Sequence, residues 1–197
     1  MTTKPSAGNC VGNVRAVVLV GFMGAGKTSV GQLLARRLGW QFEDLDDRIQ
    51  KREGRTIEQI FQDSGEPGFR RAEHEALRAL LAESQGAPRI IALGGGAYIQ
   101  PDNGALLRAA EASTVFLDGP ADELFARCQQ QAVQRPLRRD REQFEGLYAA
   151  RRPQYLTASV RVDTSGKSVD AVTAEVARCL GLQFIPSEAG PPPGAAN

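Results

Sequence analysis

Residues 16–28, AVVLVGFMGAGKT, decide the fold. The apolar run Ala16 to Val20 reads as a buried strand, and Gly21 to Thr28 behind it match the pattern G-x-x-x-x-G-K-[ST] of a phosphate-binding loop. Glycines let the backbone wrap tightly with its N–H groups turned toward phosphate oxygens, and the loop runs into the positive N-terminus of a helix. The candidates for gripping a nucleoside triphosphate are Gly24, Ala25, Gly26, Lys27, Thr28 and Ser29. Lys27 would reach the β- and γ-phosphates, and Thr28 would offer its hydroxyl to Mg²⁺. Downstream, Val30, Leu33, Leu34, Arg37 and Leu38 form a helical stripe ended by Gly39, so the loop has the strand before it and the helix after it that it needs. A glycine-rich turn carrying a solvated lysine is the alternative, and those two flanks argue against it.

Outward from this segment, short aliphatic or β-branched runs alternate with longer helical patterns. Strands are expected at 15–20, 40–43, 89–93, 113–117 and 160–163, and helices at 27–38, 46–53, 57–63, 67–85, 101–109, 121–128, 141–157 and 168–180. Thr56 caps one helix, Ser168 and Asp170 open the last, and Gly181 closes it. The alternation predicts an α/β fold of three layers, a parallel sheet covered by helices on both faces. The length is that of one domain, expected over 14–183, with the polar segment 1–13 and the proline-rich segment 184–197 expected to be disordered.

Composition narrows the classes of function. The 24 basic and 23 acidic residues nearly balance, which gives no support to a nucleic-acid-binding surface or a basic membrane-seeking face. No apolar stretch is long enough to span a bilayer, and MTTKPSAGNC lacks the apolar segment of a secretory signal, so a cytoplasmic protein is expected. Cys10, Cys128 and Cys179 are widely spaced and odd in number, which fits reduced thiols better than a disulfide frame or a zinc site. His74, the only histidine, falls on a predicted helix and reads as a solvated or packing residue rather than a catalyst.

Ligands of such folds bind beyond the carboxyl ends of the strands. The second strand runs into Asp44-Leu-Asp46-Asp47, where Asp44 and Asp46, two apart in extended chain, would project into one cleft. One carboxylate suits Mg²⁺ positioning, the other hydroxyl orientation or proton acceptance; helix capping is the plainer alternative for both. The third strand ends in Leu93-Gly-Gly-Gly-Ala97, three glycines that supply no packing and suggest close approach of backbone to a ligand. Between them, Arg70 and Glu73 fall on one helix face, so the carboxylate can fix a guanidinium suited to a substrate carboxylate. Residues 129–141, QQQAVQRPLRRDR, read as a mobile lid, with Arg135 placed to swing onto a transferring phosphate. Arg151 precedes Pro153, which is expected to interrupt or kink its helix.

Taken together, GFMGAGKT, the FEDLD at Phe42 to Asp46, FRRAE at Phe69 to Glu73, LGGGA at Leu93 to Ala97, RPL at Arg135 to Leu137 and R-x-P-x-Y at Arg151 to Tyr155 resemble the shikimate kinases. The resemblance covers about Val14 to Leu180. It implies a P-loop kinase fold with a five-stranded parallel sheet of order 2-3-1-4-5 and a mobile lid. It also implies Mg²⁺-dependent transfer of the γ-phosphate of ATP to the 3-hydroxyl of shikimate by a monomer. By position, Asp46 would hold ring hydroxyls and act as base or orienter, and Arg70, Gly95 and Arg151 would bind shikimate. Glu73 would orient Arg70, Arg135 would close onto phosphate, and Asp44 would reach Mg²⁺ through water. Lys167, in the loop after the last strand, and Arg127 are the candidates for contact with adenine. The rivals are a gluconate-type kinase, disfavoured by the paired arginines and triple glycine, and a GTPase switch, for which no N-K-x-D sequence is present.

Overall fold

A computed structural model of the chain describes residues 14–130 and 140–185. Its elements run β1 (Ala16–Val20), α1 (Lys27–Leu38), β2 (Gln41–Asp44), α2 (Leu45–Glu53), α3 (Ile57–Glu83), β3 (Arg89–Ala92), α4 (Pro101–Ala109), β4 (Ser113–Asp118), α5 (Ala121–Gln130), α6 (Arg141–Tyr155), β5 (Val160–Asp163) and α7 (Val169–Cys179). The five strands form one sheet in the order β2-β3-β1-β4-β5, and every pairing is parallel. β1 is the middle strand, and all five of its residues are buried, as a strand covered on both faces must be. That central position places the phosphate loop, which leaves its carboxyl end, at the middle of the sheet's ligand-binding edge. The adjacent carboxyl ends of β3 and β4 flank it.

Two helices are informative when set against expectation. The stretches expected at 57–63 and 67–85 are two helical arms of α3, whose backbone breaks between them at Gly65 with φ 64° and ψ −175°. No L-residue holds that conformation without strain, so the break sits at the glycine, and Pro67 restarts the helix within its first turn. The N-terminus of α3 closes with a reciprocal capping box: Thr56 Oγ1 accepts from Gln59 N, and the Gln59 side chain accepts from Thr56 N. α6, by contrast, is not interrupted at Pro153 and continues to Tyr155. Pro153 forfeits one backbone bond to the preceding turn, and only two helical residues follow it.

Candidate active site

The phosphate loop is shaped by its neighbours as well as by its own glycines. Gly24 takes φ 79°, and a Cβ placed there would lie 2.3 Å from Leu124 O of α5, so only glycine lets loop and helix touch. α1 opens at Lys27 with Gly26 as N-cap and no side-chain cap. The first N–H groups of the helix therefore keep their capacity for an anion. Lys27 Nζ donates to Gly21 O and Phe22 O, both at 2.9 Å, which draws the ammonium back across the loop.

Thr28 donates from Oγ1 to Asp44 Oδ2 at 2.9 Å, while Asp44 Oδ1 accepts from Asp46 N at 3.0 Å. Asp44 is thus both the N-cap of α2 and the partner of the loop threonine, so capping and site formation are one arrangement. Asp46 does reach the same cleft, but for a different reason from the one expected. Asp44 ends β2 and Leu45 begins α2, so Asp46 arrives on the first helical turn and not on extended chain. Lys27, Thr28, Asp44, Asp46, Gly94 and Gly95 line one cleft.

Each of the three glycines after β3 faces a charged group, and Gly95 a tyrosine hydroxyl as well. A Cβ at Gly94 would stand 2.7 Å from Asp46 Oδ1; at Gly95, 3.8 Å from Arg151 Nη1 and 3.7 Å from Tyr155 Oη; at Gly96, 3.0 Å from Arg70 Nη1 and Nη2. None of the three has a positive φ, so at Gly94 and Gly96 the requirement is for space and not for a left-handed backbone. Three segments far apart in sequence thereby converge on one short turn.

Arg70 is held from two sides. Its Nη1 donates to both oxygens of Glu73, at 3.1 and 2.9 Å, and its Nη2 to Glu66 Oε1 at 3.1 Å. Glu73 is 1% exposed, and that burial pushes its carboxyl above the usual range against the opposing pull of Arg70; Asp46, a nearby like charge, adds to the rise. A guanidinium fixed by a buried carboxylate presents its remaining N–H groups in a set direction, which suits a planar anion. On the other side of the turn Tyr155, fully buried, donates its hydroxyl to Gly95 O. Burial raises that phenol to about 12, with Arg151 beside it pulling the other way, so the proton stays on to donate.

A second set of charges sits at the end of β4. Asp118, 3% exposed, accepts from Tyr148 Oη at 2.7 Å, from Arg152 Nη2 at 2.7 Å and from Arg161 Nε at 2.9 Å. Burial alone would raise its carboxyl, but the bonds from Arg152 and Tyr148 and the charge of Arg161 carry it below the ordinary range. These contacts fasten α6, which carries Arg151, to the sheet. The sequence reading passed over Asp118 and Tyr148, and it noted Tyr155 only within a motif. Asp118 had one available signal, its place at the carboxyl end of a strand.

The remaining expected residues are divided. Lys167 pairs with Glu175 of α7 at 2.7 Å. Arg127 donates to Thr164 O at 3.0 Å and to Glu123 at 2.9 Å, spanning from α5 to the loop after β5. Arg135, with the expected lid, and most of the expected disordered ends lie outside the described residues. No cluster of three or more His, Cys, Asp or Glu side chains able to hold a metal exists among the described residues. The pair Thr28 and Asp44 fits Mg²⁺, which takes few protein ligands and completes its shell with phosphate and water. A groove of about 1120 Å³ lies elsewhere, between α4 and the C-terminal ends of α6 and α7, and holds none of these groups.

Comparison with known proteins agrees with this geometry. The family model described as Shikimate kinase matches residues 23–181. A shikimate kinase of Geobacter sulfurreducens is 45% identical over 166 residues, covering 83% of this chain and 89% of its own. Among solved structures, shikimate kinase from Bacteroides thetaiotaomicron superposes with a TM-score of 0.77 at 29% identity, covering 85% of this chain and 98% of that one. Shikimate kinase from Acinetobacter baumannii in complex with shikimate gives 0.74 at 30% identity, with 86% and 94% covered.

Proposed function

The chain belongs to the shikimate kinase family, and from that premise we propose how the groups of the cleft divide the work. The enzyme transfers the γ-phosphate of ATP to the 3-hydroxyl of shikimate, with Mg²⁺ as the metal cofactor. The observation that carries the assignment of residues is the turn Gly94–Gly96. Asp46 stands against its first glycine on the phosphate-loop side, and Arg151 and Arg70 stand against the second and third. A ring acid held by its carboxylate between the two arginines and the turn would direct a hydroxyl toward Asp46 and the phosphate loop.

Phosphoryl transfer asks a protein mainly for alignment and for neutralisation of charge. Lys27 would leave Gly21 O and Phe22 O for the β- and γ-phosphates, while the backbone of Gly24 to Gly26 and the first turn through Thr28 and Ser29 would cradle them. Thr28 and Asp44 would hold Mg²⁺, the threonine directly and the carboxylate through water, and the ion would supply positive charge to the phosphate oxygens. Asp46 would orient the attacking hydroxyl and accept its proton; Arg70, Gly95 and Arg151 would bind the acceptor. Arg135 would close onto the phosphate from the lid and exclude water. Lys167 and Arg127 would serve the adenine side, each steadied by a neighbouring carboxylate, Glu175 and Glu123. No helix among the described residues is long and apolar enough to cross a membrane. We further propose a single domain over 14–183 that works as a cytoplasmic monomer without nucleic-acid partners; light scattering after gel filtration should give about 21.2 kDa.

The direct test is ADP release from ATP and Mg²⁺ with shikimate, gluconate or no acceptor in parallel. Release that depends on shikimate alone is expected. Equal release without acceptor would indicate an NTPase, and release with gluconate a different acceptor site.

A further inference from the structure

The chain's single histidine takes no part in the reaction as derived above, yet it has a defined partner. His74 Nδ1 lies 3.0 Å from Asn103 Oδ1, and Asn103, the third residue of α4, is 1% exposed. The other end of the same amide, Nδ2, donates to Ala97 O at 3.0 Å. A carbonyl only accepts, so Ala97 determines which end of the amide is nitrogen. The oxygen is then turned to His74, whose ring must carry its proton on Nδ1 to donate. The result is a bridge from α3 through α4 to the residue that follows Gly94–Gly96.

The carbonyls of that turn are engaged one by one. Gly94 O accepts from Ala97 N at 3.1 Å, Gly95 O from the Tyr155 hydroxyl and Gly96 O from Gln100 Nε2 at 3.4 Å. Ala97 O takes a second bond from Gln100 N at 3.3 Å. Among the described residues no hydrogen bond draws on the N–H of Gly95 or Gly96, so these remain the donors of the turn. His74 also lies one helical turn beyond Arg70, so the bridge ties the helix bearing that guanidinium to the turn it packs against.

We propose that Asn103 and His74 are positioning residues for the acceptor side of the reaction, holding the Gly94–Gly96 turn at the spacing where its N–H groups and Arg70 meet the substrate carboxylate. The inference rests on the assignment of Arg70, Gly95 and Arg151 to shikimate made above. Removing Asn103 takes a bond from Ala97 O, and removing His74 lets the Asn103 amide turn away from it; neither change touches the phosphate loop.

The test is calorimetric titration of shikimate and of MgADP into wild-type protein and the variants Asn103→Ala, His74→Leu, His74→Asn and Arg151→Ala. Asn103→Ala and His74→Leu should each weaken shikimate about five- to tenfold, the worth of roughly one hydrogen bond, with MgADP within about twofold. His74→Asn, whose Nδ2 can stand where the ring Nδ1 stood, should bind shikimate as wild-type does. Unchanged shikimate affinity in the first two, equal weakening of both ligands, or His74→Asn as weak as His74→Leu would each overturn the proposal. If Asn103→Ala does not fold, the two His74 variants carry the test alone. Should Arg151→Ala leave shikimate binding intact, the substrate assignment falls and the bridge's role with it; loss there with inert bridge variants refutes the bridge only.

Discussion

Asp46 and Lys27 face the same cleft but answer to different ligands, and this separates their variants. Asp46→Asn keeps the shape and removes the proton acceptor. The expected outcome is a fall in kcat of about 10²- to 10⁴-fold, with MgADP affinity nearly unchanged by calorimetry. Lys27→Ala removes charge from the phosphates themselves, so binding and transfer should fall together. Near wild-type turnover in Asp46→Asn would remove it from the mechanism. Tyr155→Phe gives a third result: Gly95 O, partly buried at the cleft, loses its donor. Stability should fall by about 1–3 kcal/mol in urea unfolding, and the KM for shikimate should rise while that for ATP holds. The phosphate-loop residues were legible in the sequence because their pattern is local. Asp118, by contrast, finds Arg152 and Arg161 at separations of 34 and 43 residues, and no local pattern announces such partners.

Elements were legible where chain punctuation marks them. Gly65-Glu-Pro-Gly68 announced a break between two helices, and the break is there, at Gly65 between the two arms of α3. Arg70 and its two carboxylate partners all lie beyond this glycine, so their direction depends on the bend. Gly65→Ala should cost about 1–3 kcal/mol, the usual penalty for forcing an L-residue into that region, and should raise the KM for shikimate more than that for ATP. Equal stability and unchanged KM would mean that the bend is incidental. What sequence could not supply was the way Asp46 enters the cleft: one residue of strand length decides whether it projects from extended chain or from a first helical turn, and boundaries of that kind are set by tertiary packing.

For the whole molecule, two buried carboxylates act oppositely on acid stability. Asp118 is held below its ordinary value, so its ionised form contributes stability that is complete above about pH 4 and is lost as pH falls through the folded value. Glu73 is raised, so the folded state prefers it protonated; ionising it as pH rises past about 4 reduces stability, which returns on acidification. Asp118→Asn should therefore lower the Tm at neutral pH and flatten the loss of stability below pH 4. The arginines it leaves behind are partly exposed and can turn to water, so the neutral-pH cost should be about 1–3 kcal/mol and not that of a fully enclosed pair. A wild-type acid profile retained in Asp118→Asn would place the transition on another group. The order of the sheet followed from the family resemblance; alternation of elements by itself predicted only that the strands run parallel.

Because the acceptor side of the cleft is paved with main chain at Gly94–Gly96, it has an unusual standing as a target for inhibitors. A compound anchored on those N–H groups meets atoms that no codon change short of proline deletes. A substitution at Gly94 would set a new carbon 2.7 Å from the carboxylate of Asp46, and one at Gly96 would set it 3.0 Å from the guanidinium of Arg70. An escape mutant at either position would press on the catalytic machinery it was selected to protect.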